Sequence, residues 1–245
     1  MKIYVGTSGY IYNHWQEVFY PKNLPINKRL EFYSQNFNTV ELNVTFYRLL
    51  KESAFLGWYK KTPKNFKFVI KGWRFITHLK KLNNCQNDLE IFFERVKFLK
   101  EKLLCILWQL PPSLKYDRKK LEKFILLLRK YPYYYSFEFR NKSWFNENTY
   151  KILKEDNINL CISDSPNFPN VTIVTSSFLY LRFHGSSNLY ASMYSEQQLK
   201  DWVEKIKNIL KKEKIKFILA FFNNDAFGYA VQNALTFKEL LYGNL

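Results

Sequence analysis

Eight apolar runs of strand length, each closed by polar residues, constrain this chain more than any other feature of it. They cover residues 3–5, 39–42, 66–70, 104–110, 134–139, 160–163, 178–183 and 217–222. Helical patterns fall between most of them, over residues 27–35, 52–60, 88–99, 118–129, 147–155, 196–211 and 227–241. Asp117 and Ser195 stand where N-caps belong, since a short side-chain oxygen there accepts from the free N–H groups of a helix start. Pro63, Pro111, Pro112, Pro132, Pro166 and Pro169 punctuate the connections. Strand alternating with helix argues for a parallel sheet, and eight repeats argue for its closure. The expected fold is one α/β domain over residues 1–245, a TIM-type (β/α)8 barrel with room for irregularity. An open doubly wound sheet is the alternative.

A length of 245 residues suits one such barrel, and 47% hydrophobic with 19% aromatic residues excludes disorder as the main state. The net charge is +17, and the sequence pI is about 9.6. Such a surface attracts polyanions by counterion release. Much of the excess, however, sits in helical patterns, at Lys100, Lys102, Lys119, Lys120, Lys211 and Lys212, where it reads equally as solvated surface. Cys85, Cys105 and Cys161 offer neither a disulfide framework nor zinc-knuckle spacing, which fits a reducing cytoplasm. The opening MKIYVGTSGY lacks the apolar stretch of a signal peptide, and no run approaches the ~20 residues of a membrane span. A cytoplasmic protein with no membrane partner is expected.

Barrel chemistry sits where strands end, on the C-terminal face. Polar groups converging there would be costly to bury without a purpose. Gly6-Thr7-Ser8-Gly9 follows the first run; its N–H groups would hold an anion, with Thr7 or Ser8 donating, or it is a simple turn. Glu41, Glu138 and Asp164 are candidate acid/base groups or oxygen ligands of a single divalent metal, and otherwise structural partners of nearby cations. His184 joins them as a catalytic candidate, with His78 near the same mouth and His14 after the first run. Three histidines without H-x-H or H-x-x-x-H spacing argue against a multinuclear zinc site. Arg48, Lys71, Arg74, Arg140 and Arg182 would ring the mouth and bind phosphate. Tyr47, Trp73, Trp144 and Phe183 lie beside them as stacking candidates or as core. Asn223 and Asn224, with Asn233 beyond, would orient a ligand through amide hydrogen bonds or cap the last helix.

These motifs form a set: G-T-S-G-Y at 6–10, F-Y-P at 19–21, N-T-V-E-L-N at 38–43, T-F-Y-R at 45–48, Q-L-P-P at 109–112, F-E-F-R-N-K-S-W at 137–144, Y-L-R-F-H-G at 180–185, and F-N-N-D at 222–225 with N-A at 233–234. In order and over nearly the whole chain, the set resembles the YecE-like family, the domain of unknown function numbered 72. The resemblance implies a TIM-type barrel of unsettled biochemical role. The family's barrel is similar to the endonuclease-IV and xylose-isomerase group, and a DNA-related role has been suggested on that analogy, although the histidine-rich metal cluster of endonuclease IV is not visible here. Two positions depart from the family. Tyr10 stands where Trp is usual. Asn141 stands where His is frequent, which puts an acid/base or metal role there in doubt.

Three functions remain open. One is a site for a phosphate-containing ligand such as nucleic acid, with phosphodiester hydrolysis if it is an enzyme. Another is a small-molecule enzyme acting on a sugar or a phosphorylated metabolite, with Glu41 and Glu138 as its acid/base pair. The third is binding without turnover, which a mouth whose every carboxylate is neutralised by a fixed arginine would support. A deep pocket closed to polymers favours the second, and an open basic groove the first.

Overall fold

A computed structural model describes residues 1–169 and 171–245. Its strands are β1 (Lys2–Thr7), β2 (Thr39–Leu42), β3 (Lys67–Lys71), β4 (Leu103–Leu110), β5 (Tyr134–Phe139), β6 (Asn159–Leu160), β7 (Ile162–Asp164), β8 (Phe178–Phe183) and β9 (Phe217–Phe222). Its helices are α1 (Arg29–Asn36), α2 (Val44–Tyr47), α3 (Glu52–Lys61), α4 (Gln86–Val96), α5 (Arg118–Leu128), α6 (Glu147–Glu155), α7 (Glu196–Leu210) and α8 (Tyr229–Asn244).

Every paired strand runs parallel to its neighbour. The strands form two hydrogen-bonded arcs, β7-β8-β9-β1 and β2-β3-β4-β5-β6. The fold is a TIM-type α/β barrel whose ladder is interrupted at two seams. At the first, a single bridge joins Ser8 to Glu41, and Gly9 N–H donates to the Glu41 carbonyl at 2.8 Å. The second corrects the expectation of one strand over residues 160–163. Leu160 N–H donates to Thr175 Oγ1 at 2.8 Å, whereas Cys161 N–H donates to the Phe137 carbonyl at 2.8 Å. The chain thus hands its pairing from β5 to β8, and the strand splits into β6 and β7.

Capping sets where helices begin. Asp117 Oδ1 accepts from Lys120 N–H at 3.0 Å, and Ser195 closes a capping box with Gln198. The helix expected over 88–99 starts at Gln86 and yields to a 3-10 turn, Lys97–Lys102, in which Lys100 adopts a φ of 49°. Two short elements at the mouth, α2 and a π-helical turn at Phe75–Leu79, carry no periodicity long enough to read from sequence.

Side chains alternate along each strand. One set, including Leu42, Ile70, Trp108, Phe139, Phe183 and Phe222, packs outward under the helices. The other fills the lumen: Tyr4, Val69, Cys105, Leu107, Cys161, Phe178, Tyr180, Phe217, Leu219 and Phe221. All three cysteines are free and buried. Among the described residues, no helix is long and apolar enough to cross a membrane.

Candidate active site

At the C-terminal ends of the strands the lumen turns from apolar to charged. Arg182, on β8, is 1% exposed and bridges two buried carboxylates. Its Nη2 donates to Glu41 Oε1 at 2.7 Å, and its Nη1 to Glu138 Oε2 at 2.6 Å. Tyr180 and Ser8 donate to Glu41 at 2.5 and 2.7 Å. Gln109, Arg140 and Ser163 donate to Glu138 at 2.6, 2.7 and 3.2 Å. Every carboxylate oxygen of the pair is therefore engaged.

His184 completes the cluster, with Nε2 at 3.0 Å from Glu138 Oε1 and Nδ1 at 3.1 Å from Asn223 Nδ2. With Asn223 donating to Nδ1, the neutral ring carries its proton on Nε2 and donates it to Glu138. Burial, reinforced by Arg182, lowers His184 to about 4. Burial alone would raise Glu138, but Arg140 and Arg182 overcome it and hold the carboxyl well below its ordinary range. Glu41 follows the same pattern: burial opposes ionisation, and Arg182, Tyr180 and Ser8 outweigh it.

Lys71 differs. It ends β3, is 8% exposed, and forms no ion pair or side-chain hydrogen bond among the described residues. Its Nζ lies 4.0 Å from the centroid of the Phe46 ring. Thr45 Oγ1 donates to the Lys71 carbonyl at 2.8 Å and ties α2 to the strand end. Burial, then the Arg182 charge, brings the amine down to about 7; Glu138 and Glu41 pull the other way from beyond contact. Lys71 lines a cavity of about 610 Å³, together with Tyr12, Asn43, Tyr47, Tyr190, Asn223 and Asp225. Arg140 Nη1 is buried without a partner, and its guanidinium stacks on Phe168 at 3.5 Å.

The structure brings Glu41, Glu138, Arg140, Arg182, His184, Ser8, Lys71 and Asn223 into one cluster or along its cavity. Tyr47 stands 66% exposed on the rim, and Arg48 and Arg74 are exposed beside it. His78 is half-buried, edge-on to Phe46, and lowered to about 4 by burial and Lys71. His14 pairs with Asp225 at 2.9 Å. Trp73 stacks on Phe75, and Phe183 packs on Phe222 in the outer core.

Four expectations need correction. Asp164 is not in the cluster: alternation turns Ser163 inward and Asp164 outward, where its Oδ2 accepts from Trp202 at 2.8 Å. Trp144 is fully buried against Phe139, and its indole N–H donates to the Leu114 carbonyl, so no face is left for a ligand. Asn224 is fully buried and donates to Ser192 and Asn233, which anchors a loop. The glycine turn is not an anion nest, because its N–H groups are spent inside the fold: Thr7 on Tyr33, Ser8 on Phe222 and Gly9 on Glu41. Thr7 Oγ1 likewise donates to the Gly9 carbonyl at 2.6 Å.

Sequence reasoning missed Tyr180, Gln109 and Ser163 as members of the cluster. The signal was present for Tyr180, which stands two residues before Arg182 and so shares its face. Phe168 carried no signal, since it comes from a loop.

The family model for the protein of unknown function DUF72 matches residues 4–244. The chain is 27% identical to the UPF0759 protein YunF of Bacillus subtilis, over 98% of this chain and 94% of that one. A crystal structure of a DUF72 family protein from Thermotoga maritima superposes with a TM-score of 0.86 at 34% identity, covering 99% of this chain and all of the other. D-psicose 3-epimerase from Clostridium cellulolyticum, solved with D-tagatose, gives a TM-score of 0.57 at 9% identity over 100% of this chain and 99% of that one, a likeness of fold alone.

Proposed function

The chain belongs to the DUF72 family, whose function is unknown, and we propose that its barrel mouth binds a small metabolite bearing a phosphate or carboxylate group. One observation carries this reading: Arg140 and Arg182 are matched by Glu41 and Glu138, the cavity's Asp225 is held by Trp15 and His14, and Lys71 opens on the cavity with no carboxylate in contact. An anion there would pair with Lys71 and restore the proton that burial strips from it.

The size of the space supports a small ligand. A cavity of about 610 Å³ lies within the roughly 300–1,000 Å³ of small-molecule sites. Its lining is neutral and aromatic apart from Lys71 and Asp225. Lys119, Lys120 and Lys123 line a separate groove on the outside, so part of the basic charge stands away from the mouth. Glu41 and Glu138 do not serve as an acid/base pair, because neither has an oxygen free nor a proton to give. They position Arg182 and, through it, the charge around Lys71.

Calorimetric titration of ribose 5-phosphate, glucose 6-phosphate, dihydroxyacetone phosphate, pyruvate and a single-stranded oligonucleotide tests the reading. At least one small anion is expected to bind, with affinity tenfold or more weaker in Lys71→Gln. Oligonucleotide binding that falls steeply with salt, with no response to any small anion, would restore the nucleic-acid reading instead.

A further inference from the structure

We infer that Lys71 is a nucleophile that forms an imine with an aldehyde or ketone carried by the anionic metabolite. The inference rests on the small-anion reading of the mouth and names the substrate class. Geometry makes the case. Lys71 closes a strand at the catalytic face of a barrel. Buried lysines are ordinarily paired, yet no carboxylate contacts this one. Its Nζ meets an aromatic ring on one side and a ligand-sized cavity on the other.

The groups facing it explain why it stays unpaired. Glu138 and Glu41 are both consumed by Arg182 and their other donors, and Asp225, in the same cavity lining, is held by Trp15 and His14. Arg182 and Arg140 repel a second cation from the strand side, and Arg74 and His78 stand on the turn after β3. With a value of about 7 rather than 10.5, half of the Lys71 amine is neutral at pH 7. That is about a thousandfold more than for a surface lysine. A desolvated amine beside another cation is the usual way to activate lysine toward carbonyls.

The step balances without a further reactant. The nitrogen lone pair forms a C–N bond as the carbonyl π pair moves to oxygen. One amine proton passes to that oxygen and gives the carbinolamine. The nitrogen then forms C=N as the hydroxyl leaves with the second amine proton as water.

Incubation of the full chain with dihydroxyacetone phosphate, pyruvate or pyridoxal 5′-phosphate, followed by cyanoborohydride and peptide mass mapping, tests this. With at least one probe, reduced adduct should concentrate on Lys71 at least tenfold over any other lysine at pH 7. Lys71→Arg keeps the cation but lacks the amine nucleophile, so it should lose the adduct. Absence of a Lys71 adduct from all three probes, or labelling spread evenly over surface lysines, overturns the imine. If the same probes still bind calorimetrically, the small-anion reading survives that failure; if none binds, both fall.

Discussion

At the N-terminal end of the barrel, Tyr134, Phe178 and Phe217 fill the lumen with rings whose centroids stand 4.8, 4.9 and 5.2 Å apart. Four residues further along two of these strands, in place of Tyr134 and Phe178, stand Glu138 and Arg182. The two ends share strands and alternation, and both are buried apart from the partly exposed Tyr134. The floor is held by apolar area and ring packing, terms that scale with volume and tolerate a substitute of similar shape. The mouth is held by mutual compensation, in which each charge is tolerable only because its partner is present. A floor can therefore be repaired one side chain at a time, and a mouth cannot.

The largest expected effect breaks that compensation. Arg182→Met leaves Glu41 with no ionic partner and Glu138 with Arg140 alone, and should cost about 3–5 kcal/mol in urea unfolding. Phe178→Leu at the floor should cost only about 1–2 kcal/mol. Adding Glu41→Gln to Arg182→Met should recover part of the loss, because the stranded charge goes with its partner while Glu138 keeps Arg140. Equal costs at floor and mouth, or no recovery in the double variant, would dissolve the contrast.

A pH series sharpens it further, since only the mouth titrates. The folded value of Lys71 is about 7 against an ordinary 10.5. Between those limits the unfolded chain binds more protons, so the Lys71 contribution is full above about 10.5 and is lost as pH falls toward 7. Wild type should gain at least about 2 kcal/mol on Lys71→Met between about pH 7 and pH 10 in denaturant titrations. His184, at about 4 against 6.5, has the same sign, and its contribution is lost as pH falls from about 6.5 through 4. Glu41 and Glu138 add to that acid limb in the same direction, so the alkaline limb reports on Lys71 more cleanly. A flat difference between wild type and Lys71→Met would mean that the amine keeps its proton in the folded state.

The same contrast explains what the sequence made legible. Strand runs and helix periods announce themselves because they repeat, and the barrel follows from their alternation. Glu41, Glu138 and Arg182 were visible as charges inside apolar runs, where nothing but a partner or a purpose permits them. Which face each residue takes was harder. Ser163 and Asp164 are adjacent, both polar and both at a strand end, and only the register of β7 against β8 sends Ser163 inward. Trp144 sits beside a site arginine in sequence, yet its ring belongs to the core under β5. The split at Cys161 depends on a side chain from residue 175, a partner that no local pattern names. The isolation of Lys71 was equally hidden, because it depends on other residues having claimed both carboxylates first.

The smallest effect on stability should come from the rim, where neither rule of the comparison applies. Tyr47 is 66% exposed and touches the cavity without filling any core space, although its ring meets Phe46 edge-on at 5.1 Å. Removing it exposes little and strands nothing, so Tyr47→Ala should change unfolding free energy by less than about 0.5 kcal/mol. Its ring still stands over the space that a ligand on Lys71 would occupy. A sugar or base face there would lose about 1 kcal/mol of contact, or roughly fivefold in affinity, for whichever small anion the titrations identify. Measured together, the two quantities separate the rim from both ends of the barrel: the floor alters stability alone, the charged cluster alters both, and Tyr47 should alter binding alone. A loss of stability in Tyr47→Ala would make the rim part of the packed fold. Unchanged affinity would confine the ligand to the depth of the cavity, against Lys71 and Asn223.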